Sequence, residues 1–205
     1  MGYLTYNNFK IKTGISNLSS EKLGIYFNLI KTWQKKFNLI SKNSFKSIWE
    51  RHFLDSYQIL NLLGEKRKIL DIGSGAGFPA IVCAICSNNN FDLVESNKKK
   101  YDFLIEVKRV IGLKNVIIHH SRVEDLKIDK DFDYISARAV TSLDKLLYYS
   151  SKFYKKGMFC IFLKGKTVFK ELKVAKKKFN FHFQSIQSVT NKDGRILLIK
   201  NLKKK

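Results

Sequence analysis

The run Ile69-Leu-Asp-Ile-Gly-Ser-Gly-Ala-Gly-Phe-Pro79 restricts the fold of this chain more than any other stretch. Four residues of buried-strand character lead into three glycines at alternate positions. Glycines at such a turn can take positive φ and let a ligand approach the backbone without meeting a Cβ. Pro79, the only proline, falls where a first helical turn begins, a position that suits its fixed φ and missing N–H. The local order is therefore strand, loop, helix.

The rhythm downstream extends that unit. Apolar runs at 69–72, 91–94, 116–118, 134–136 and 158–163 read as strands, with helical segments near 79–86, 98–111, 142–153 and 167–178. Strand and helix in alternation imply parallel pairing through right-handed crossovers, hence an α/β fold with a mostly parallel, doubly wound, Rossmann-like sheet. The end differs: 183–189 and 195–200 flank Thr190-Asn-Lys-Asp-Gly194, whose Asp-Gly pair is a hairpin signal, so the C-terminal strand is expected to run antiparallel. Ahead of the sheet, Leu23, Tyr26, Phe27, Ile30, Trp33 and Phe37 predict a helix over 18–39 capped by Ser19 or Ser20. Ile48, Trp49, Phe53, Leu54, Tyr57 and Leu60 predict a second over 45–63, ended by Gly64. The expected organisation is an N-terminal helical extension, 1–65, and a ligand-binding core, 66–205.

Charge narrows the partner. Thirty-nine Lys and Arg face 17 Asp and Glu, a formal net charge of +22, which suits a polyanion such as RNA because each neutralised phosphate releases a counterion. Only six of the basic residues are Arg, and Asn, Ile, Phe and Lys abound, so part of the charge is the mark of A+T-rich codons. No apolar run is long enough to span a bilayer, and the first residues lack the basic start and apolar stretch of a signal peptide, so none is expected. Three cysteines form no disulfide framework. A cytoplasmic protein, with no membrane partner and a monomeric state, is expected.

The glycine run does not complete G-x-G-x-x-G, since Phe78 stands where the third glycine belongs, and no G-x-x-x-x-G-K-[ST] occurs. What it matches is D-x-G-x-G-x-G (Asp71, Gly73, Gly75, Gly77), the pattern of S-adenosylmethionine-dependent methyltransferases of this sheet type. Glu95, closing the next strand, is placed to accept both ribose hydroxyls. The acceptor leaves traces too. Methylation at pyrimidine C5 needs a transient nucleophile, yet the one proline is not followed by Cys and Cys160 sits in a predicted buried strand. The Asn/Asp-Pro-Pro-aromatic loop of adenine amine methylation is replaced by Ser136-Ala-Arg-Ala-Val140. A ring nitrogen such as guanine N7 carries an in-plane lone pair and needs no general base.

Further residues form an ordered set: Trp33 with Phe37-Asn-Leu39; Arg51-His-Phe-Leu-Asp-Ser56; Leu70 to Pro79; Glu95-Ser96, Lys99 and Phe103-Leu104; Ser121-Arg-Val-Glu-Asp125; Ser136-Ala-Arg-Ala139 with Ser142-Leu143; and Leu163-Lys-Gly165. From about residue 30 to the C-terminus the chain resembles the RsmG (GidB) family, bacterial class I methyltransferases that modify guanine N7 in 16S small-subunit ribosomal RNA. The resemblance implies S-adenosylmethionine as methyl donor, with Gly73, Phe78, Val123, Glu124 and Arg138 lining its pocket and Val123-Glu124 near the adenine. It implies as partner the small ribosomal subunit or an assembly intermediate. Ala80 departs from it, standing where many members carry Gly.

Arg138, just past the fourth strand, is a positioning candidate whose guanidinium suits a carboxylate or phosphate. His52 and Asp55 lie one helical turn apart and are placed to bond each other or RNA. Arg51, His52, Lys99, Lys164 and Lys166 are the candidate RNA contacts. No metal site is expected: Cys83-Ala-Ile-Cys86 lies inside a helix without two further ligands, and His119-His120 has none nearby. A small-molecule methyltransferase and a non-catalytic RNA-binding or ribosome-assembly factor remain open as alternatives.

Overall fold

The structure, a computed structural model, describes residues 4–205. Its frame is a seven-stranded sheet in the order β3-β2-β1-β4-β5-β7-β6. The strands are β1 (Lys68–Ile72), β2 (Asn90–Glu95), β3 (Val116–His120), β4 (Tyr134–Arg138), β5 (Phe159–Lys164), β6 (Phe179–Gln187) and β7 (Arg195–Lys204). β1 to β5 pair in parallel, and β7 runs antiparallel between β5 and β6. The order turns back beside β1, which lies between β2 and β4. The carboxyl ends of β1 and β4 therefore open a crevice where such sheets take ligands.

The helices are α1 (Tyr6–Thr13), α2 (Asn17–Gln34), α3 (Lys42–Phe45), α4 (Asp55–Tyr57), α5 (Ala80–Cys86), α6 (Lys98–Ile111), α7 (Leu143–Ser151) and α8 (Val168–Lys178). α7 and α8 share one hydrophobic cluster with β4, β5 and β7. α5, α6 and the N-terminal helices share the other. The N-terminal segment is thus part of the core. Phe9, Tyr26, Phe53, Phe78 and Phe103 are all almost wholly buried, with Tyr26 within 5.3–6.4 Å, centroid to centroid, of Phe53, Phe78 and Phe103. The Tyr26 hydroxyl donates to the carbonyl of Ala76, inside the glycine run.

The N-terminal helices differ from their sequence patterns. α1 went unpredicted because only Phe9 on it is buried, although Thr5 caps it and Gly14 ends it in left-handed geometry. α2 is capped by Ser16, not Ser19 or Ser20, and stops at Gln34, whose amide then bonds Leu39 and Ile40. The expected helix over 45–63 is a succession: α3, a π-helical segment Trp49–Leu54, α4 and a 3₁₀ segment Gln58–Leu62. The chain leaves it extended at Leu63, so Gly64 is no left-handed cap. β6 starts directly after α8, earlier than the alternation suggested. Its connection to β7 spans residues 188–194, longer than a two-residue turn.

Candidate active site

A cavity of about 500 Å³ lies at the carboxyl edge of the sheet. Its floor is the loop after β1, with Gly73, Ser74, Gly75, Ala76 and Phe78. One wall is the N-terminal segment, with Ser41, Ser44, Arg51, His52 and Asp55. Bonded to that wall through Asp55 is the β6–β7 connection, with Ser188, Thr190 and Asn191; Arg195 comes from the start of β7, and Arg138 and Lys164 from the ends of β4 and β5.

Gly73 has φ +67, and a Cβ there would sit 2.8 Å from Val140 Cγ2. A Cβ on Gly75 would meet nothing closer than the Gly73 carbonyl oxygen at 3.8 Å, so the bare backbone at Gly75 faces open space. Asp71, at the end of β1, is buried. Its Oδ1 accepts from Ser136 Oγ at 2.6 Å, and its Oδ2 has no partner among the described residues. Burial raises its carboxyl to about 6, against the opposing pull of the Ser136 and Ser74 hydroxyls and of Arg138. A raised carboxyl means that the folded protein holds this proton more tightly than the unfolded chain does. Ionised Asp71 thus costs stability above about pH 6 and nothing below about pH 4. Asp71→Asn removes that titration. The stability difference between variant and wild type is expected to move in the variant's favour by ~3 kcal/mol from pH 4 to pH 8, at about 1.4 kcal/mol per pKa unit, as read by denaturant titration at both pH values. A pH-independent difference would refute it.

Glu95 ends β2 buried, its Oε2 accepting from Gly75 N at 2.8 Å and its Oε1 from Asn97 N at 2.7 Å. Each oxygen keeps a lone pair for a further donor. A buried acceptor without a partner, a bare glycine backbone and a strand-end carboxylate suit a ligand with an ammonium group and ribose hydroxyls.

Arg138 is not the free anion clamp that its position suggested. Nη1 donates to the Arg51 carbonyl at 2.9 Å and to Asp55 Oδ2 at 3.2 Å, Nη2 lies 2.6 Å from His52 Nδ1, and the guanidinium rests 5.0 Å above the Phe78 ring. His52 and Asp55 therefore meet through Arg138 rather than through each other, because the π-helical turn changes their angular offset. Burial, with Arg138 and Arg51 alongside, lowers His52 to about 3. The ring is neutral and accepts at Nδ1.

A family model described as GidB, rRNA small subunit methyltransferase G, matches residues 19–199. The chain belongs to the GidB family. It is 37% identical over 185 residues to the ribosomal RNA small subunit methyltransferase G of Rickettsia prowazekii, covering 90% of this chain and 95% of that one. It is 35% identical over 197 residues to the protein of the same name from Rhodospirillum rubrum, covering 96% and 97%. Among solved structures, a SAM-dependent methyltransferase from Aquifex aeolicus superposes with a TM-score of 0.59 at 17% identity, over 75% of this chain and 92% of that one. The ribosomal protein L11 methylase of Lactobacillus delbrueckii does so with 0.58 at 16%, over 72% and 76%. These likenesses show the shared class I methyltransferase fold.

Of the positions that the GidB resemblance named, Gly73, Phe78 and Arg138 line the cavity. Val123 is buried and Glu124 exposed in the turn after β3, which lies beside Glu95 through the Ser121 N–H to Glu95 carbonyl bond; the cavity stops short of both. Gly77 faces inward, toward Tyr26, Ile81 and Leu104. Among the RNA candidates, Arg51 and His52 line the cavity, while Lys99 and Lys166 are exposed outside it. Lys164 is corrected: its ammonium is committed to Glu171 at 2.6 Å and to the Thr141 carbonyl at 2.9 Å, with the side chain 8% exposed, so it ties α8 to the sheet. Sequence reasoning missed Lys100, Ser41, Ser44, Thr190, Asn191 and Arg195. Register alone finds Arg195, which pairs with Lys164 across β5 and β7.

Cys83, Cys86 and Cys160 hold reduced thiols, with Cys86 and Cys160 pushed up to about 12 by burial. His119 bonds Asp92 at 2.8 Å and His120 stacks on Tyr101.

Proposed function

We propose that this chain is an S-adenosylmethionine-dependent methyltransferase that methylates N7 of a guanine in 16S ribosomal RNA, in the cytoplasm. The observation that carries the reading is the crevice itself. Its floor is the bare Gly73–Gly75 backbone and its walls carry Arg51, Lys100 and Arg195; Glu95, bonded to Gly75 N, and Asp71, with its unpartnered Oδ2, are buried next to that loop and outside the cavity lining, in a member of the GidB family. The relatives' name supplies the substrate class.

When bound, S-adenosylmethionine supplies a methyl carbon on a sulfonium sulfur, open to in-line attack. Asp71 would receive its ammonium group, Gly73 and Gly75 would let it approach the bare backbone, and Glu95 would take the ribose hydroxyls. The chain's remaining task is orientation, which accounts for large rate factors when reacting atoms are held in near-attack geometry. Guanine N7 has no proton to lose, so no general base is required. The cavity agrees: His52, its one imidazole, is made a weak base by burial and two arginines, and its Nδ1 is taken by Arg138. The base has to leave its stack to reach the crevice, between the wall of Arg51 and Ser44 and that of Asn191 and Arg195.

The test is transfer of labelled methyl groups to bare and ribosome-bound 16S RNA, with the product nucleoside identified by mass. Incorporation at one guanine N7 is expected; incorporation at another atom overturns the proposed acceptor, and none overturns the proposal and returns weight to the non-catalytic alternative. Phosphate contacts predict a steep salt dependence of RNA binding. Replacing Arg51, Lys100, Lys166 and Arg195 together by Gln is expected to lower the log–log slope by roughly 3, at ~0.7–0.9 per contact. An unchanged slope would make the charge compositional and favour a small-molecule acceptor.

A further inference from the structure

Three segments far apart in sequence form the cavity walls, and one carboxylate touches all of them. Asp55, on α4, accepts at Oδ2 from Arg138 at the end of β4, with side chains only 18% and 13% exposed. Its Oδ1 accepts from Thr190 Oγ1 at 2.8 Å and from Ser188 Oγ at 3.4 Å, both in the β6–β7 connection. Oδ1 also accepts from Gln58 Nε2 at 2.8 Å, and Gln58 Oε1 takes the Val189 N–H at 3.0 Å. The turn is thereby fastened to the N-terminal segment by the same group that holds the Arg138 fork over Phe78 and against His52.

We infer that Asp55 is a positioning residue that clamps the 188–194 turn and Arg138 into one rigid frame, setting the width of the entrance through which the acceptor base reaches the methyl group. The inference rests on the functional reading above. An exposed ion pair contributes little, but this one is enclosed and shared by several donors. Charge-assisted hydrogen bonds in such a network hold geometry more firmly than neutral ones. Asparagine at 55 keeps an acceptor for Thr190 but turns an amide toward Arg138, and valine at 190 keeps the shape of threonine without its hydroxyl.

The experiment compares Asp55→Asn, Thr190→Val and Thr190→Ser. Amide exchange at Val189, Thr190 and Gly194 reads the clamp without reference to activity, and initial rates against 16S RNA read its consequence. Asp55→Asn is expected to speed exchange across the turn and to lower kcat/KM for RNA on the order of tenfold to a hundredfold, the range in which small misplacements act. Thr190→Val is expected to raise KM for RNA, with Thr190→Ser restoring it. Exchange in Asp55→Asn matching wild type, or equal kinetics for the Val and Ser variants, would overturn the clamp. Failure of the wild type to methylate RNA would sink the functional reading instead, leaving the exchange data to judge the clamp.

Discussion

Replacing Gly73 by aspartate is expected to reduce the affinity for S-adenosylhomocysteine, the demethylated donor, by at least about a hundredfold, roughly 3 kcal/mol. Two effects coincide at this position. A Cβ on the positive-φ backbone would sit 2.8 and 2.9 Å from the two methyl groups of Val140, so the loop after β4 must shift. The added carboxylate then stands two residues from the buried Asp71, whose unpartnered oxygen is the proposed acceptor for the ligand's ammonium group. Gly73→Ala carries the steric effect without the charge and is expected to lose less. Calorimetry on both variants checks this, and wild-type affinity in Gly73→Asp would remove the glycine loop from the binding site.

Gly77→Ala is expected to act on the opposite quantity. Gly77 has φ +93, and its Cβ would lie 2.5 Å from Ile81 Cγ1, 2.9 Å from the Tyr26 hydroxyl oxygen and 3.0 Å from Leu104 Cδ2. The tyrosine is held by its bond to Ala76 within the fully buried aromatic cluster. Left-handed strain of about 1–2 kcal/mol and overpacking of about 1–3 kcal/mol together predict a loss of ~3 kcal/mol. For a chain of this size that lowers Tm by about 6–12 °C. Thermal unfolding measures it; an unshifted Tm would mean that the third glycine faces ligand rather than core.

These two glycines mark how far the sequence could be read. Ile69, Leu70 and Ile72 are buried on both sheet faces, and such parallel strands announce themselves as unbroken apolar runs. The doubly wound order, the loop and the antiparallel end were legible for that reason. D-x-G-x-G-x-G nevertheless treats its glycines alike, whereas Gly73 and Gly75 face the crevice and Gly77 the packing against α2 and α6. That distinction depends on Tyr26, some fifty residues upstream. The apolar spacing of 45–63 was read as one helix because a 3.6-residue period continues through a π-helical turn without a break in hydrophobicity. The turn at Trp49–Leu54 is what sends His52 and Asp55 to Arg138. Lys164 reads as a free cation at a sheet edge because its partner, Glu171, lies on the next helix. The wall of Thr190, Asn191 and Arg195 had no local signature, since its place is set by bonds to Asp55 and Gln58 across some 130 residues.

A structure of the protein with S-adenosylhomocysteine bound addresses the placement of the donor most directly. The expected electron density puts the ligand's amino group at Asp71, its backbone-facing side over Gly73 and Gly75, and its ribose hydroxyls at Glu95. Its sulfur is expected to point toward the cavity between Arg51 and Asn191. Density elsewhere in the protein, or a ribose turned away from Glu95, would contradict the assignment of this crevice as the site of methyl transfer.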